Sequence, residues 1–189
     1  MTGTPYDVKP VTKERWDDLV ELFGRSGAYS GCWCMFPRLS GAEFSANGNK
    51  GNKAAMKKIV ARNEVPGLLA YSNGKPVGWI SVGPRPVFKR IERSPIFKPV
   101  DDKPVWSVVC FFIRRDFRKQ GVGRALLAAA GDYARLQGAQ LLEAYPVDTH
   151  GKTENPATIF YGTRRLFEQD GFKVVARRKE RRPMMQKGL

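Results

Sequence analysis

The amino-acid sequence predicts a mixed α/β (α+β) fold, and three observations carry that prediction. Residues 108–113, Val-Val-Cys-Phe-Phe-Ile, are an uninterrupted apolar run rich in β-branched and aromatic side chains, as expected of a strand buried on both faces. After a short basic turn the spacing changes, and Val122, Leu126, Ala129, Ala130 and Tyr133 fall on one helical stripe that stops at Gly138. Two hairpins complete the pattern: one turns on Asn73-Gly74 between apolar runs at 68–71 and 77–82, and the other joins 172–176 to 182–186.

Residues 6–11 read as a short first strand, after which Thr12 is placed to cap a helix with the stripe Trp16, Leu19, Val20 and Phe23. Gly24, Gly27 and Gly31 break that pattern. They lead into residues 32–38, Cys-Trp-Cys-Met-Phe-Pro-Arg, a dense apolar and sulfur-bearing segment without helical or strand period, expected as a partly covered loop. Residues 44–53 are small, polar and glycine-rich, which predicts a mobile loop ahead of a basic helix from 54 to about 63. Between 83 and 104 there are five prolines, but Val87, Phe88, Ile91, Ile96 and Phe97 give the stretch enough to bury to make it an ordered connection. Residues 140–147 form another apolar strand, 148–156 an irregular polar loop, and Thr163 caps a short helix that runs to 170 and ends at Gly171. A chain of 189 residues is the size of one domain, expected here over 1–189.

Composition narrows the function classes. Lys and Arg number 33 against 18 Asp and Glu, a formal charge of +15, so the surface field attracts anions: nucleic acid, an acidic protein or a phosphorylated cofactor. The simplest account is a solvated basic surface whose specific anion is the cofactor, since no nucleic-acid-binding motif occurs. No apolar run approaches the ~20 residues needed to cross a bilayer, and the amino terminus lacks a secretory pattern, so a cytoplasmic protein without a membrane partner is expected. Three cysteines, Cys32, Cys34 and Cys110, do not make a disulfide framework. Nor is the Cys32 and Cys34 pair read as a zinc site, because a closed site takes four ligands and the rest of the chain offers only Cys110, expected inside the buried strand, and the single His150; no metal is expected.

The turn between the central strand and its helix holds the chemistry. Gly121 and Gly123 let the backbone approach a bulky ligand, the amides at the helix start point one way, and Arg118, Lys119 and Arg124 add positive charge. This predicts a pyrophosphate-binding loop. A dinucleotide-binding fingerprint would need glycine or alanine where Leu126 stands, and a Walker loop ending on Gly151-Lys152-Thr153 would need glycine at Pro146. What remains is Arg-x-x-Gly-x-Gly at Arg118, Gly121 and Gly123, after a strand ending at Ile113 and before Arg-Ala-Leu-Leu. This pattern resembles the coenzyme A motif of the GNAT-type N-acetyltransferases, and Gly171-Phe172 is similar to that family's ending.

The resemblance implies a twisted, mostly antiparallel sheet with helices on both faces, in which two central parallel strands, 108–113 and 141–147, splay apart to admit acetyl-CoA. It places Arg118, Lys119, Gln120, Gly121, Val122, Gly123 and Arg124 on the pyrophosphate, and backbone groups of Phe111, Phe112 and Ile113 on the pantetheine arm. The implied reaction is direct transfer of the acetyl group to a primary amine of a small molecule or peptide. An aligned N–H at a break in the first splayed strand would stabilise the oxyanion.

Family members often use a tyrosine four residues before Gly-Phe to protonate the leaving thiolate. Here that position is Phe167, and Tyr161 is the nearest substitute. Glu143, a carboxylate in an apolar strand, is the candidate base, with a salt bridge to an arginine as its alternative role. Tyr145 and Asp148 are weaker candidates for that base. Trp33, Met35 and Phe36, with Tyr145, are the candidate acceptor contacts. A non-catalytic acyl-CoA-binding module and, less so, a nucleic-acid-binding protein stay open beside the enzyme, as does a homodimer.

Overall fold

A computed structural model describes residues 5–155 and 157–189. Seven strands form one sheet in the order β1-β2-β3-β4-β5-β7-β6. These are β1 (Asp7–Pro10), β2 (Leu68–Ser72), β3 (Lys75–Pro84), β4 (Trp106–Ile113), β5 (Leu141–Ala144), β6 (Lys173–Arg177) and β7 (Pro183–Gly188). All neighbours are antiparallel except β4 and β5, which run parallel. Asn73 and Gly74, both at positive φ, turn the β2–β3 hairpin as their side chains permit.

Five helices cover the sheet: α1 (Trp16–Phe23), α2 (Gly41–Ala61), the single turn α3 (Lys89–Glu92), α4 (Val122–Leu136) and α5 (Arg164–Gln169). On one face α4 buries Val122, Leu126, Leu127 and Ala130 against Leu68, Ile80, Val108 and Leu142. It lies so close to β3 that a Cβ on Gly78 would stand 2.6 Å from Val122 Cγ1. The opposite face carries α1 and α2 over Leu69, Trp79 and Cys110, and the connection from 85 to 105 over Val109, Tyr145 and Met184.

Four expectations need correction. The predicted mobile loop at 44–53 lies inside α2. Ser40 and Glu43 form a reciprocal capping box at its start, Gly48 (φ 55°) bends it, and Asn52 anchors it by donating to Gly31 O, so tertiary contacts override the poor helix propensity. Thr12 gives no side-chain cap, because a 3-10 turn at Lys13–Arg15 precedes α1. The segment 32–38 is largely buried rather than partly covered, with Trp33, Cys34 and Met35 at most 3% exposed. Finally, the strand expected over 140–147 pairs only as Leu141–Ala144, since Pro146 follows and Val147 turns to make an isolated bridge to Thr163.

Candidate functional site

The site begins at a defect in the sheet. β4 pairs with β3 through Ser81↔Cys110 and then Val82↔Val108, so Val109 is an extra residue that bulges the strand. On its other side β4 pairs with β5 at Trp106↔Leu142, Ser107↔Glu143 and Val108↔Ala144, and the pairing stops there. Beyond Val108 the two strands part. The amide of Phe111 therefore has no β5 carbonyl to meet. It donates instead to Phe160 O at 2.7 Å, while Val147 N–H donates to Gly162 O at 3.0 Å, so residues 160–162 span the gap.

At the open end of β4, Gly121 takes the left-handed conformation (φ 87°) that caps α4, with no atom within 4 Å of the place a Cβ would occupy. The first amides of α4, at Val122, Gly123 and Arg124, have no carbonyl one turn earlier within the helix to bond. Arg118, Lys119, Gln120 and Arg124 are exposed around them, and Lys119 also has positive φ (60°). Arg118 Nε donates to Ile113 O at 3.1 Å, which ties the loop to the end of β4. Phe111 and Ile113 turn toward α4, whereas Phe112 packs on the α1 side. An open glycine cradle, free amides, the positive end of a helix and exposed cations together fit a pyrophosphate.

Glu143 lies on β5 just before the strands part. It is 1% exposed and receives Arg85 Nη1 at 2.5 Å, Tyr145 Oη at 2.6 Å and Gln186 Nε2 at 2.8 Å. Arg85 also binds Glu92 and Phe97 O, and Ser107 Oγ lies 2.8 Å from Tyr145 Oη, so the group forms a continuous network, buried except at Glu92. Burial, then the neighbouring Glu143 carboxylate, pushes the Tyr145 hydroxyl well above the ordinary tyrosine range. Tyr145 is fully buried and Trp33 and Met35 nearly so; Phe36 is the partly exposed member of the predicted acceptor contacts.

Tyr161 follows the residue that caps Phe111. Its hydroxyl hydrogen-bonds to no described residue, and burial pushes it up to about 12, against the pull of Arg182 and Arg90. It is thus a protonated donor without a partner. Phe167 at the family's tyrosine position is fully buried against Phe111 and Phe172. Nearby, Cys34 and Cys110 touch at 3.2 Å between sulfurs, with Trp79 Nε1 donating to Cys34 Sγ, and burial raises the Cys34 thiol. Among the described residues no cluster of His, Cys, Asp or Glu is arranged to hold a metal ion, and no helix is long and apolar enough to cross a membrane. Phe160, Arg90 and Arg182 escaped the sequence-based set, because a carbonyl contact has no sequence signature and two arginines do not stand out in so basic a chain.

In this fold a bulged strand parts from its parallel neighbour beside a bare helix N-terminus. Residues 33–166 match the sequence model of the acetyltransferase (GNAT) family, and the chain belongs to that family. An uncharacterized N-acetyltransferase of Methanocaldococcus jannaschii is 25% identical over 164 residues, which are 87% of this chain and 61% of that protein; the chain thus spans about three fifths of its relative's length. Among solved structures, the PaiA N-acetyltransferase of Thermoplasma acidophilum in complex with coenzyme A has a TM-score of 0.55 at 14% identity, covering 97% of this chain and 99% of that one. YncA of Salmonella typhimurium, with its cofactor acetyl-CoA, scores 0.55 at 17% identity, covering 98% and 94%. These two likenesses establish the shared fold.

Proposed function

We propose that this chain, acting as a single domain in the cytoplasm, transfers an acetyl group from acetyl-CoA to a primary amine of a small molecule or peptide. The observation that carries the reading is the parting of β4 from β5 after Val108↔Ala144, directly beside the bare N-terminus of α4. Bound acetyl-CoA supplies an activated thioester carbonyl. The chain's own part is to hold the pyrophosphate on the amides of residues 120–124, with Arg118, Lys119 and Arg124 contributing charge. The edges of Phe111, Phe112 and Ile113 receive the pantetheine arm, and the Phe111 N–H, once released from Phe160 O, is the donor for the developing oxyanion.

Tyr161 is the proposed acid, since burial keeps its hydroxyl protonated and it has no hydrogen-bond partner among the described residues. Glu143, the candidate base, is already bound by Arg85, Tyr145 and Gln186, so its proposed part is to hold β5 in place beside the cleft through that network. Phe36 lines the acceptor side, and Trp33, Met35 and Tyr145 support it from the core. No metal enters this scheme. The test is thiol release from acetyl-CoA across a panel of amines, beside calorimetric titration of the coenzyme. Micromolar binding and amine-dependent thiol release are expected. Tight binding with no turnover on any amine would favour a binding module instead, a reading that the buried, hydroxyl-free Phe167 supports.

A further inference from the structure

Among the described residues, two arginines on the proposed acceptor side of the cleft have no counter-ion. The guanidinium of Arg182, in the turn between β6 and β7, lies 4.7 Å from the centre of the Tyr161 ring and 5.2 Å from that of Phe97. Its Nη2 donates to Tyr145 O at 3.1 Å, while its Nε is closed to solvent and meets no acceptor among the described residues. Arg90 lies flat on Phe36, 3.9 Å from the ring centre, with its Nε donating to Phe36 O at 2.8 Å. Phe36 meets the ring of Phe160 edge-on at 5.8 Å, and Phe160 is the residue whose carbonyl holds the Phe111 amide. Both arginines therefore converge on the aromatic pair Phe160 and Tyr161 that borders the reaction centre.

The acids of this region are already engaged. Asp148 pairs with Arg164 at 3.0 Å and Arg177 at 3.1 Å, Glu143 with Arg85, and Glu154 with Arg181. Among the described residues neither Arg90 nor Arg182 makes an ion pair. Arg38 is a third buried guanidinium without one, but its contacts are with the Phe88 ring and Pro66 O, not with the Tyr161 ring. A half-buried cation that lacks a counter-ion has lost hydration, and stacking on aromatic rings restores only part of the loss. Stacking also holds the guanidinium planes still and leaves Nη1 of Arg182 and the two Nη groups of Arg90 for an oxyanion, which such donors bind with direction as well as charge.

Resting on the acetyl-transfer reading above, we infer that the amine acceptor also carries an oxyanion, a carboxylate or a phosphate, seated on Arg182 with Arg90 as the second cation. The acceptor's amine then faces the Phe111 amide across Phe160 and Tyr161, and the anion fixes which end of the molecule enters first. A polyamine, which is cationic at both ends, is disfavoured by the same pair.

Two measurements keep this inference separate from the reading beneath it. The first needs no turnover: melting of the wild-type protein with N-acetyl amino acids and N-acetylphosphoethanolamine, against the matching N-acetyl carboxamides and N-acetylethanolamine. At least one anionic product should raise the melting temperature where its neutral counterpart does not, and Arg182→Gln should remove the difference. The second is kcat/KM for amino acids against their amides, and for phosphoethanolamine against ethanolamine. A preference of tenfold or more for the anionic member is expected, falling below threefold in Arg182→Gln with the KM for acetyl-CoA unchanged. Arg182→Lys, which keeps the charge and loses the fork, should fall between; if Arg182→Gln does not fold, Arg90→Gln must lower the same preference.

The carboxylate and phosphate arms tell the two oxyanions apart. Equal response to neutral and anionic partners, no response to any anionic one, or a preference that survives both substitutions overturns the inference. Failure of the wild type to bind acetyl-CoA overturns the acetyl-transfer reading instead.

Discussion

The amide of Phe111 donates to the carbonyl of Phe160 at 2.7 Å, across the gap that opens where β5 leaves β4. The strand edge proposed to receive the coenzyme is thus held by the chain itself, and binding exchanges one partner for another. Acetyl-CoA should change deuterium uptake over residues 109–113, where the Phe111 amide exchanges its partner, and lower it over 119–125 as phosphate takes the amides. Saturating ligand with no change at either segment would contradict the exchange.

Gly121 gives the sharpest test of the coenzyme loop. Its φ of 87° strains any β-branched replacement, and a side chain there projects into open space that the pyrophosphate is proposed to use. Gly121→Val should cost about 1–2 kcal/mol of stability, the usual penalty for the left-handed conformation. Coenzyme affinity by calorimetry should fall more than a hundredfold. At Gly123 a Cβ would stand 3.6 Å from Ile113, an ordinary contact, so Gly123→Ala should be far milder.

The Arg85–Glu143 pair is buried on both sides, with side chains 6% and 1% exposed. Glu143→Ala leaves Arg85 in the core with Glu92 as its remaining counter-ion, so it should destabilise by about 3 kcal/mol, the low end for a broken buried pair. Glu143→Gln, which keeps hydrogen-bonding atoms in place, should cost less. Urea midpoints at constant slope would measure both, and equal stability of Glu143→Ala and wild type would deny the network a structural role.

Burial holds the Tyr161 hydroxyl up at about 12, so it stays protonated through neutral and mildly alkaline pH. Tyr161→Phe should lower kcat by about a hundredfold, the low end for a proton donor, because a thiolate is a tolerable leaving group. The folded value stands above the unfolded one of about 10, so the contribution to stability is complete below pH 10 and is lost as pH rises from there toward 12. Denaturant midpoints between pH 8 and 11 should fall more steeply for the wild type than for Tyr161→Phe. Parallel curves would count against the raised value.

Local signals carried well into the structure where they agreed with tertiary packing. The β2–β3 hairpin, the stripe of α4 and the cap at Thr163, whose side chain accepts from Leu166 N–H, stand where sequence placed them. The first half of α2 was illegible because its glycines and asparagines are poor helix formers, and what holds it, Asn52 on Gly31 and Trp33 Nε1 on Asn49, joins residues far apart in sequence, whereas the basic half from 54 onward was expected as helix. Glu143 showed the same limit. An acid in an apolar strand is visible, but the arginine that claims it is 58 residues away. The turn proposed to hold the phosphates was readable as a unit because it is local; the proposed acceptor side is assembled from residues 36, 90, 161 and 182, which no window of sequence unites.

The seam between β4 and β5 is only three residue pairs long. Mechanically, the sheet is two plates, β1 to β4 and β5 to β7, stitched along a short edge and backed by α4 on one side. Thermal opening should therefore begin along this stitch, and a ligand wedged at its end works with the longest lever arm the molecule offers. On the acetyl-transfer proposal, a bulky acceptor is expected to enter by tilting one plate against the other, which leaves each plate's own ladder hydrogen bonds in place.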